Sequence, residues 1–209
     1  MTQTSSGQTT RGQLLQAAVR RMARQGFEGT SLQAIADDVG IRKASLLYHF
    51  SSKSALRDAV VGDLLGHWRS LLPNLLRLAT GGENRFDSLM GALIDFFEES
   101  PDRARLLQRE ALDRPEEFQA LVQGMLIPWM GLVTDYIRKG QRTGEVRADV
   151  DPPAYVSAVV HLVVAGIATG AATDPLLLTS PDGPQTPAAT ARRRDQEIVR
   201  IARTSLFTS

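Results

Sequence analysis

The chain has 209 residues, 43% of them hydrophobic and 22% charged, which excludes a disordered chain and allows one large or two small domains. It has no cysteine, which excludes disulfide and thiolate chemistry and favours a cytoplasmic location. The net charge of +1 is unevenly distributed: residues 1–57 hold eight basic and three acidic residues (+5), so the remainder carries −4, and a basic head of this kind is suited to a polyanion.

Helical periodicity runs through the whole chain. Apolar spacings of three and four predict a first helix that stops at Gly26, a very short second helix from Thr30, and a third over Lys43–His49. The remaining predicted helices cover Ser52–Leu78 (ended by Gly81 and Gly82), Arg85–Ser100, Pro101–Asp113, Pro115–Arg142, Pro153–Ala172 and Pro187–Phe207. Thr173–Pro187 is the one clear predicted loop. Strand alternation and hairpin dipeptides are absent, so we predict an all-α fold.

The segment Thr30–Lys53 carries the signals of two short helices joined by a tight turn. Thr30 and Gln33 match a capping box, and Ala36 is small where a second helix crosses close by. Gly40 lies where the turn requires a positive φ, which a β-carbon disfavours. The apolar residues that bury this pair of helices are Ile35, Val39, Ile41 and Leu46. The segment therefore predicts a helix-turn-helix, which presents its second helix to the major groove of DNA.

The polar residues of the same segment form the predicted DNA-binding set. These are Thr30, Ser31, Arg42, Lys43, Ala44, Ser45, Tyr48, His49 and Lys53. The start of the second helix is expected to reach base edges, and Ser31 lies at a helix N-terminus, where a phosphate meets free N–H groups. An ordinary solvated helix hairpin explains each residue separately, but not their occurrence in register.

The order of these residues supports a resemblance. It is carried by Gln25-Gly26-Phe27, Thr30-Ser31, Ile35-Ala36, Gly40, Leu46-Leu47-Tyr48-His49-Phe50 and Lys53. On these positions, residues 11–57 resemble the DNA-binding head of the TetR family of transcriptional regulators. The tyrosine that usually follows the signature leucine is replaced here by Leu47, which has no hydroxyl for a phosphate, and Tyr48 follows one place later, about 100° around the helix.

The resemblance implies a domain organisation. Residues 1–10 are expected to be a flexible tail, 11–57 a three-helix DNA-binding head, and 58–209 a larger helical domain that dimerises and binds an effector. The helices Pro153–Ala172 and Pro187–Phe207 are predicted to form a four-helix interface with a second copy. Two alternatives remain open: both helices pack inside one monomer, or the apolar stretch Ala154–Ala172 crosses a membrane. We expect no membrane role, because this stretch carries polar residues and lacks flanking basic anchors.

Aromatic and apolar residues of the larger domain give a candidate cavity for an apolar or amphipathic effector. The candidate residues are Trp68, Phe96, Met125, Trp129, Tyr136 and His161. Each of them is also explained as an ordinary core residue.

Other chemistry finds little support in the sequence. It has no phosphate-binding loop, no HExxH motif and no nucleophile elbow, and its three histidines are widely separated, so we predict neither a metal nor another cofactor. The predicted function is a cytoplasmic, ligand-responsive repressor that binds a near-palindromic operator as a homodimer. An enzyme is one alternative. The other is a helical ligand-binding or interaction module that has lost DNA binding, supported only by Leu47.

Overall fold

A computed structural model of the protein describes residues 9–78, 82–179 and 186–208, with the backbone alone described at 72–78, 82–84, 125–126, 128–129 and 179. Over these ranges no strand forms, and Val146 and Phe207 make an isolated antiparallel bridge. The helices are α1 (Thr10–Gly29), α2 (Leu32–Val39), α3 (Lys43–His49), α4 (Lys53–Leu78), α5 (Gly82–Glu98), α6 (Pro101–Asp113), α7 (Pro115–Thr143), α8 (Pro152–Thr173) and α9 (Pro187–Leu206). The predicted all-α fold, a helix-turn-helix head before a larger helical domain, is confirmed.

Most predicted helix boundaries lie within three residues of the observed ones, with two differences. Gly26 leaves helical geometry at φ 72° and ψ 173°, as a stop residue should, but α1 resumes and runs on to Gly29. The predicted loop after α8 is wrong in its first part, where Asp174–Thr179 forms a 3-10 helix. The cause is that Asp174 keeps helical dihedrals (φ −56°, ψ −32°), and the proline that follows is tolerated in a first turn. Residues 1–8 of the predicted tail, Gly81 and residues 180–185 lie outside the described residues.

The start of α2 is one residue later than the predicted capping box requires. Ser31 is the N-cap, and its hydroxyl oxygen accepts a hydrogen bond from the N–H of Ala34 at 3.1 Å. Gln33 donates to Asp37 at 2.7 Å, a contact within the helix and not a bond back to the cap. The capping-box prediction for Thr30 and Gln33 is therefore wrong.

α6 lies between the head and α8. From α6, Arg109 donates to the carbonyl oxygen of Ala23 in α1 at 2.9 Å, and Arg105 donates to the carbonyl oxygen of Ala168 in α8 at 3.2 Å. A single core of apolar side chains runs from α1–α3 through α4 and α6 to α8 and α9. The head is thus fixed against the body by one helix that contacts both.

Candidate nucleic-acid interface

A small core holds the second helix of the head in place. Ile35, Ala36 and Leu46 are fully buried, and Phe50 is buried where α3 ends. Gly40 has φ 73° and ψ 28°, the left-handed conformation predicted for it. The N–H of Ile41 bonds the carbonyl oxygen of Ala36 at 3.0 Å, which closes α2 in a Schellman motif. The buried face of α3 is therefore narrow, and the rest of that helix is free for other contacts.

The exposed face of α3 carries most of the predicted DNA-binding residues. Arg42, which caps α3, and the next three residues, Lys43, Ala44 and Ser45, are all exposed. The ring of Tyr48 is 89% exposed and packs edge-on against His49, with centroids 5.6 Å apart. Side chains this exposed contribute little to the packing of the head. This face of α3 is therefore available to a partner.

Leu47, which occupies the position of the usual family tyrosine, and Tyr48, the next residue, differ in their exposure to solvent. Leu47 is 39% exposed, so its apolar side chain stands at the surface beside the predicted interface. Tyr48 is 89% exposed and carries the phenol of α3. Its role as a phosphate contact stays a prediction.

The prediction that the side chain of Thr30 belongs to the DNA-binding set needs a correction. Its side chain is 2% exposed, and its hydroxyl donates to the carbonyl oxygen of Gly26 at 2.8 Å. That bond satisfies a carbonyl left free where α1 departs from helical geometry, so Thr30 stabilises the turn between α1 and α2 and its side chain does not reach the surface. Ser31, the neighbouring N-cap, is exposed and keeps its place at the start of α2.

Lys53 is half-buried where α4 begins. Its ammonium nitrogen lies 4.3 Å from the ring centroid of Phe27 and 3.3 Å from the carbonyl oxygen of Glu28. In this arrangement the charge is held against the end of α1 by a cation–π contact and one hydrogen bond. Its predicted role as a phosphate contact stays a prediction.

Sequence reasoning counted the arginines of α1 as charge and did not place them in a site. Arg20, Arg21 and Arg24 line a surface cavity of about 370 Å³ together with Gln25 and Asp38. Arg21 donates to both carboxylate oxygens of Asp38, at 2.6 and 2.7 Å, and this hydrogen bonding holds the pKa of Asp38 below its usual range. The spacing of Arg20 and Arg24, one helical turn apart, is the signal that places them on one face.

Among the side chains that the structure describes, the predicted effector residues are not brought together as one set. Trp68 and Phe96 make an edge-to-face contact with centroids 5.2 Å apart. Tyr136 lies under the guanidinium of Arg85, 5.4 Å from its ring centroid. His161 is exposed on α8, where its Nδ1 lies 2.6 Å from the carbonyl oxygen of Ser157. The side chains of Met125 and Trp129 lie outside the described residues.

Two features of the described residues bear on a metal site and on a membrane segment. Among the residues that the structure describes, no group of three or more His, Cys, Asp or Glu side chains is arranged to hold a metal ion. One segment, Pro152–Leu178, is long and apolar enough to cross a membrane, by length and composition only, and 22% of its most apolar stretch is buried.

Comparison with known proteins agrees with this geometry. Residues 14–60 match the family model of bacterial regulatory proteins of the TetR family, and residues 83–199 match a tetracyclin repressor-like C-terminal domain. The first match covers the helix-turn-helix and the start of α4. The second covers most of α5 to α9.

Relatives of this chain are transcriptional regulators. The negative regulator IcaR of the Staphylococcus aureus biofilm operon is 28% identical over 54% of this chain and 59% of that protein. The repressor KstR2 of Mycolicibacterium smegmatis is 28% identical over 68% of this chain and 69% of that protein. Among solved structures, the ketosteroid regulator KstR2 of Mycobacterium tuberculosis shares the fold with a TM-score of 0.72 at 21% identity, covering 98% of both chains. The fatty acid degradation regulator FadR of Bacillus halodurans does so with a TM-score of 0.71 at 14% identity, covering 93% of this chain and 97% of that one.

Two family models that together span the head and most of the body settle the classification. TetR-family regulators are non-enzymatic DNA-binding transcription factors, which removes the enzyme alternative. This chain belongs to the TetR family of bacterial regulatory proteins.

Proposed function

We propose that the protein is a cytoplasmic, ligand-responsive repressor that binds a near-palindromic operator as a homodimer. The observation that carries this proposal is the exposed face of α3, where Arg42, Lys43, Ala44 and Ser45 stand free of the core. Repression is supported by two relatives that are named as negative regulators, IcaR and the mycolicibacterial KstR2.

The proposed roles of the head residues follow from their positions. Arg42, Lys43 and Ala44 enter the major groove and read bases, since the N-terminal end of a recognition helix is nearest to the base edges. Ser31, Tyr48, His49 and Lys53 contact phosphates on either side. The net charge of +5 on residues 1–57 adds sequence-independent affinity through counterion release.

The proposed dimer interface is the outer face of α8 with part of α9. α8 already packs on α6, α7 and α9 through one face, whose buried residues include Val159, Val163 and Ile167. Val160 and Leu162 are exposed on the two sides of this buried stripe, and α9 leaves Ile201 exposed. A second copy that covers these residues forms a four-helix interface and places two recognition helices about 34–36 Å apart.

The proposed ligand response is a shift between two dimer geometries. A small apolar or amphipathic molecule that binds the body moves α4, which starts directly after the recognition helix. That movement changes the separation of the heads and lowers operator affinity. Contact between Trp68 of α4 and Phe96 of α5 supports this scheme, because the two rings connect the long helix to the body.

The test begins with footprinting of the purified protein on genomic fragments, followed by a library of variants of the protected site. We expect Lys43→Ala to relax the preference at one base pair, at a cost there of about 1–3 kcal/mol. We expect Lys53→Ala to weaken all sequences alike and to lower the slope of log K against log salt by about 0.9. Lys139→Ala is the matched control, since this lysine is exposed on α7 away from the head.

Two results would count against the proposal. Operator fragments that stay unshifted at low and at physiological salt would favour a helical binding module without DNA affinity. Identical behaviour of Lys43→Ala and Lys53→Ala across the library would contradict the division between base and phosphate contacts. The dimer is tested separately by sedimentation of Leu162→Glu, which we expect to be monomeric while the parent protein is dimeric.

A further inference from the structure

A groove of about 600 Å³ runs along the contact between α5 and α9. Its apolar lining comes from Ile94 of α5 and from Ala188, Ala191 and Val199 of α9. Val199 and Ile201 are about 200° apart around α9, so the groove lies on the opposite side of that helix from the proposed dimer interface. Its size and apolar lining are those of sites that bind small molecules.

An excess of negative charge adjoins this groove. One guanidinium, that of Arg194, is shared by three carboxylates: it donates to Asp174 at 2.8 Å, to Asp195 at 2.9 Å, and to Glu98. Two of the three negative charges are therefore not compensated within this cluster. Glu98 and Asp195 both line the groove, which places the excess charge at its wall.

The remaining charged groups of the groove leave its net charge negative. Asp95 is exposed, and Arg192, which also lines the groove, donates from its Nε to the carbonyl oxygen of Ala188 at 3.4 Å. With the Arg194 cluster included, four carboxylates face two guanidinium groups, and a net charge of −2 remains. Burial raises the pKa of Asp195, as do the neighbouring carboxylates, so a positive charge brought into the groove would stabilise its ionised form.

We propose that this α5–α9 groove binds an amphipathic cation: a small molecule whose apolar chain lies along Ile94, Ala191 and Val199 and whose ammonium group lies beside Asp95 and Glu98. An apolar body satisfies the lining, and a single positive charge offsets carboxylates that the protein leaves uncompensated. The inference rests on the proposed ligand-responsive regulator and names the class of its effector. The site is separate from the Trp68–Phe96 contact, which lies on α4 and α5.

The experiment is calorimetric titration of the full chain with octyltrimethylammonium, using octanoate as a probe with a similar chain and the opposite charge. We expect the ammonium to bind one per chain, and octanoate to bind at least about tenfold more weakly, a difference of about 1.4 kcal/mol. Asp95→Asn should weaken ammonium binding about threefold, because this carboxylate is exposed and screened. Ala188→Trp should fill one end of the groove and weaken it by about tenfold or more.

Two matched controls keep the result interpretable. Asp63→Asn removes an exposed carboxylate from α4, and Ala120→Trp adds the same bulk to an exposed position of α7, both outside the groove. We expect neither to change the affinity. Equal binding of octanoate, or full affinity in a folded Ala188→Trp protein, would overturn the proposal.

Binding of operator DNA by the same samples separates this inference from the proposed function. A protein that binds DNA but not octyltrimethylammonium refutes the groove and leaves the regulator unaffected. One that binds the ammonium in the groove without any change in DNA affinity supports the site and contradicts its role in the ligand response.

Discussion

The ion pair between Arg57 and Glu110 joins the start of α4 to α6, and its removal is a sharp test of how the head is fixed to the body. The two side chains are 4% and 3% exposed, and Nε of Arg57 lies 2.5 Å from a carboxylate oxygen of Glu110. Removing one partner of such a pair leaves a buried charge without compensation, which costs about 3–5 kcal/mol. Arg57 retains a second contact, from its Nη1 to the half-exposed Asp58 at 3.1 Å. We therefore expect Glu110→Ala to cost about 3 kcal/mol, at the lower end of that range.

The measurement is denaturant unfolding followed by circular dichroism at one fixed protein concentration, because the proposed dimer would make stability concentration-dependent. The matched control is the double variant Arg57→Met with Glu110→Leu, which removes both charges and keeps similar volume. Pairs replaced in this way often lose no stability, so the double variant should be clearly more stable than Glu110→Ala. A cost below about 1 kcal/mol for the single change, or equal costs for both variants, would refute the view that an uncompensated charge dominates.

Three further predictions concern the backbone and the helix caps. Gly170→Ala should destabilise the protein by about 1–3 kcal/mol, because a β-carbon there would collide with Nη1 of Arg194, whose guanidinium is held by three carboxylates. Gly131→Ala, with no atom within 4 Å, should stabilise α7 by about 0.5–1 kcal/mol. The unfolding midpoints of the two variants should therefore move in opposite directions. Gly40→Ala should cost about 1–2 kcal/mol although no atom lies within 4 Å, since the cost comes from φ alone, and an unchanged melting temperature would contradict this. Ser31→Ala should cost about 1 kcal/mol by loss of the N-cap, and a Ser31→Asp protein that melts like the parent would confirm the capping role independently of any DNA contact.

The helix-turn-helix is predictable from sequence because each of its signals is local. Gly40 takes a positive φ, Leu46 is buried, and the polar start of α3 is exposed. The residue types at these neighbouring positions predict all three features. Where prediction failed, two local signals competed. Thr30 and Ser31 are both good caps. The hydroxyl of Thr30 instead donates to the carbonyl oxygen of Gly26, four residues earlier, and Ser31 caps α2.

Long-range pairings could not be predicted in the same way. Nothing near Arg57 in the sequence indicates that its partner is Glu110, 53 positions later, or that Arg109 bonds the carbonyl oxygen of Ala23, 86 positions earlier. Such contacts depend on which helices become neighbours. Periodicity gives the faces of each helix but not the order in which they pack.

The effector residues show the limit of reasoning from aromatic content. Trp68 and Phe96 meet because both point into the contact between α4 and α5, whereas His161 stays at the surface of α8. The groove between α5 and α9 was not predicted, since its apolar lining is one isoleucine, two alanines and one valine, and its charge comes from residues that pair across three elements. A site formed by small side chains and by distant carboxylates leaves no local pattern in the chain.

α8 is more apolar than its packing within one chain requires. A helix that packs on one side only needs one apolar stripe, and the buried residues Val159, Val163 and Ile167 already supply it. The exposed Val160 and Leu162 are therefore in excess of what this fold requires, and exposing them to water costs free energy unless another surface covers them. A membrane and a second copy both meet that need, but only the second copy also fits the proposed function. One short recognition helix per chain would then read a specific operator, because two copies double the contacts and fix their spacing.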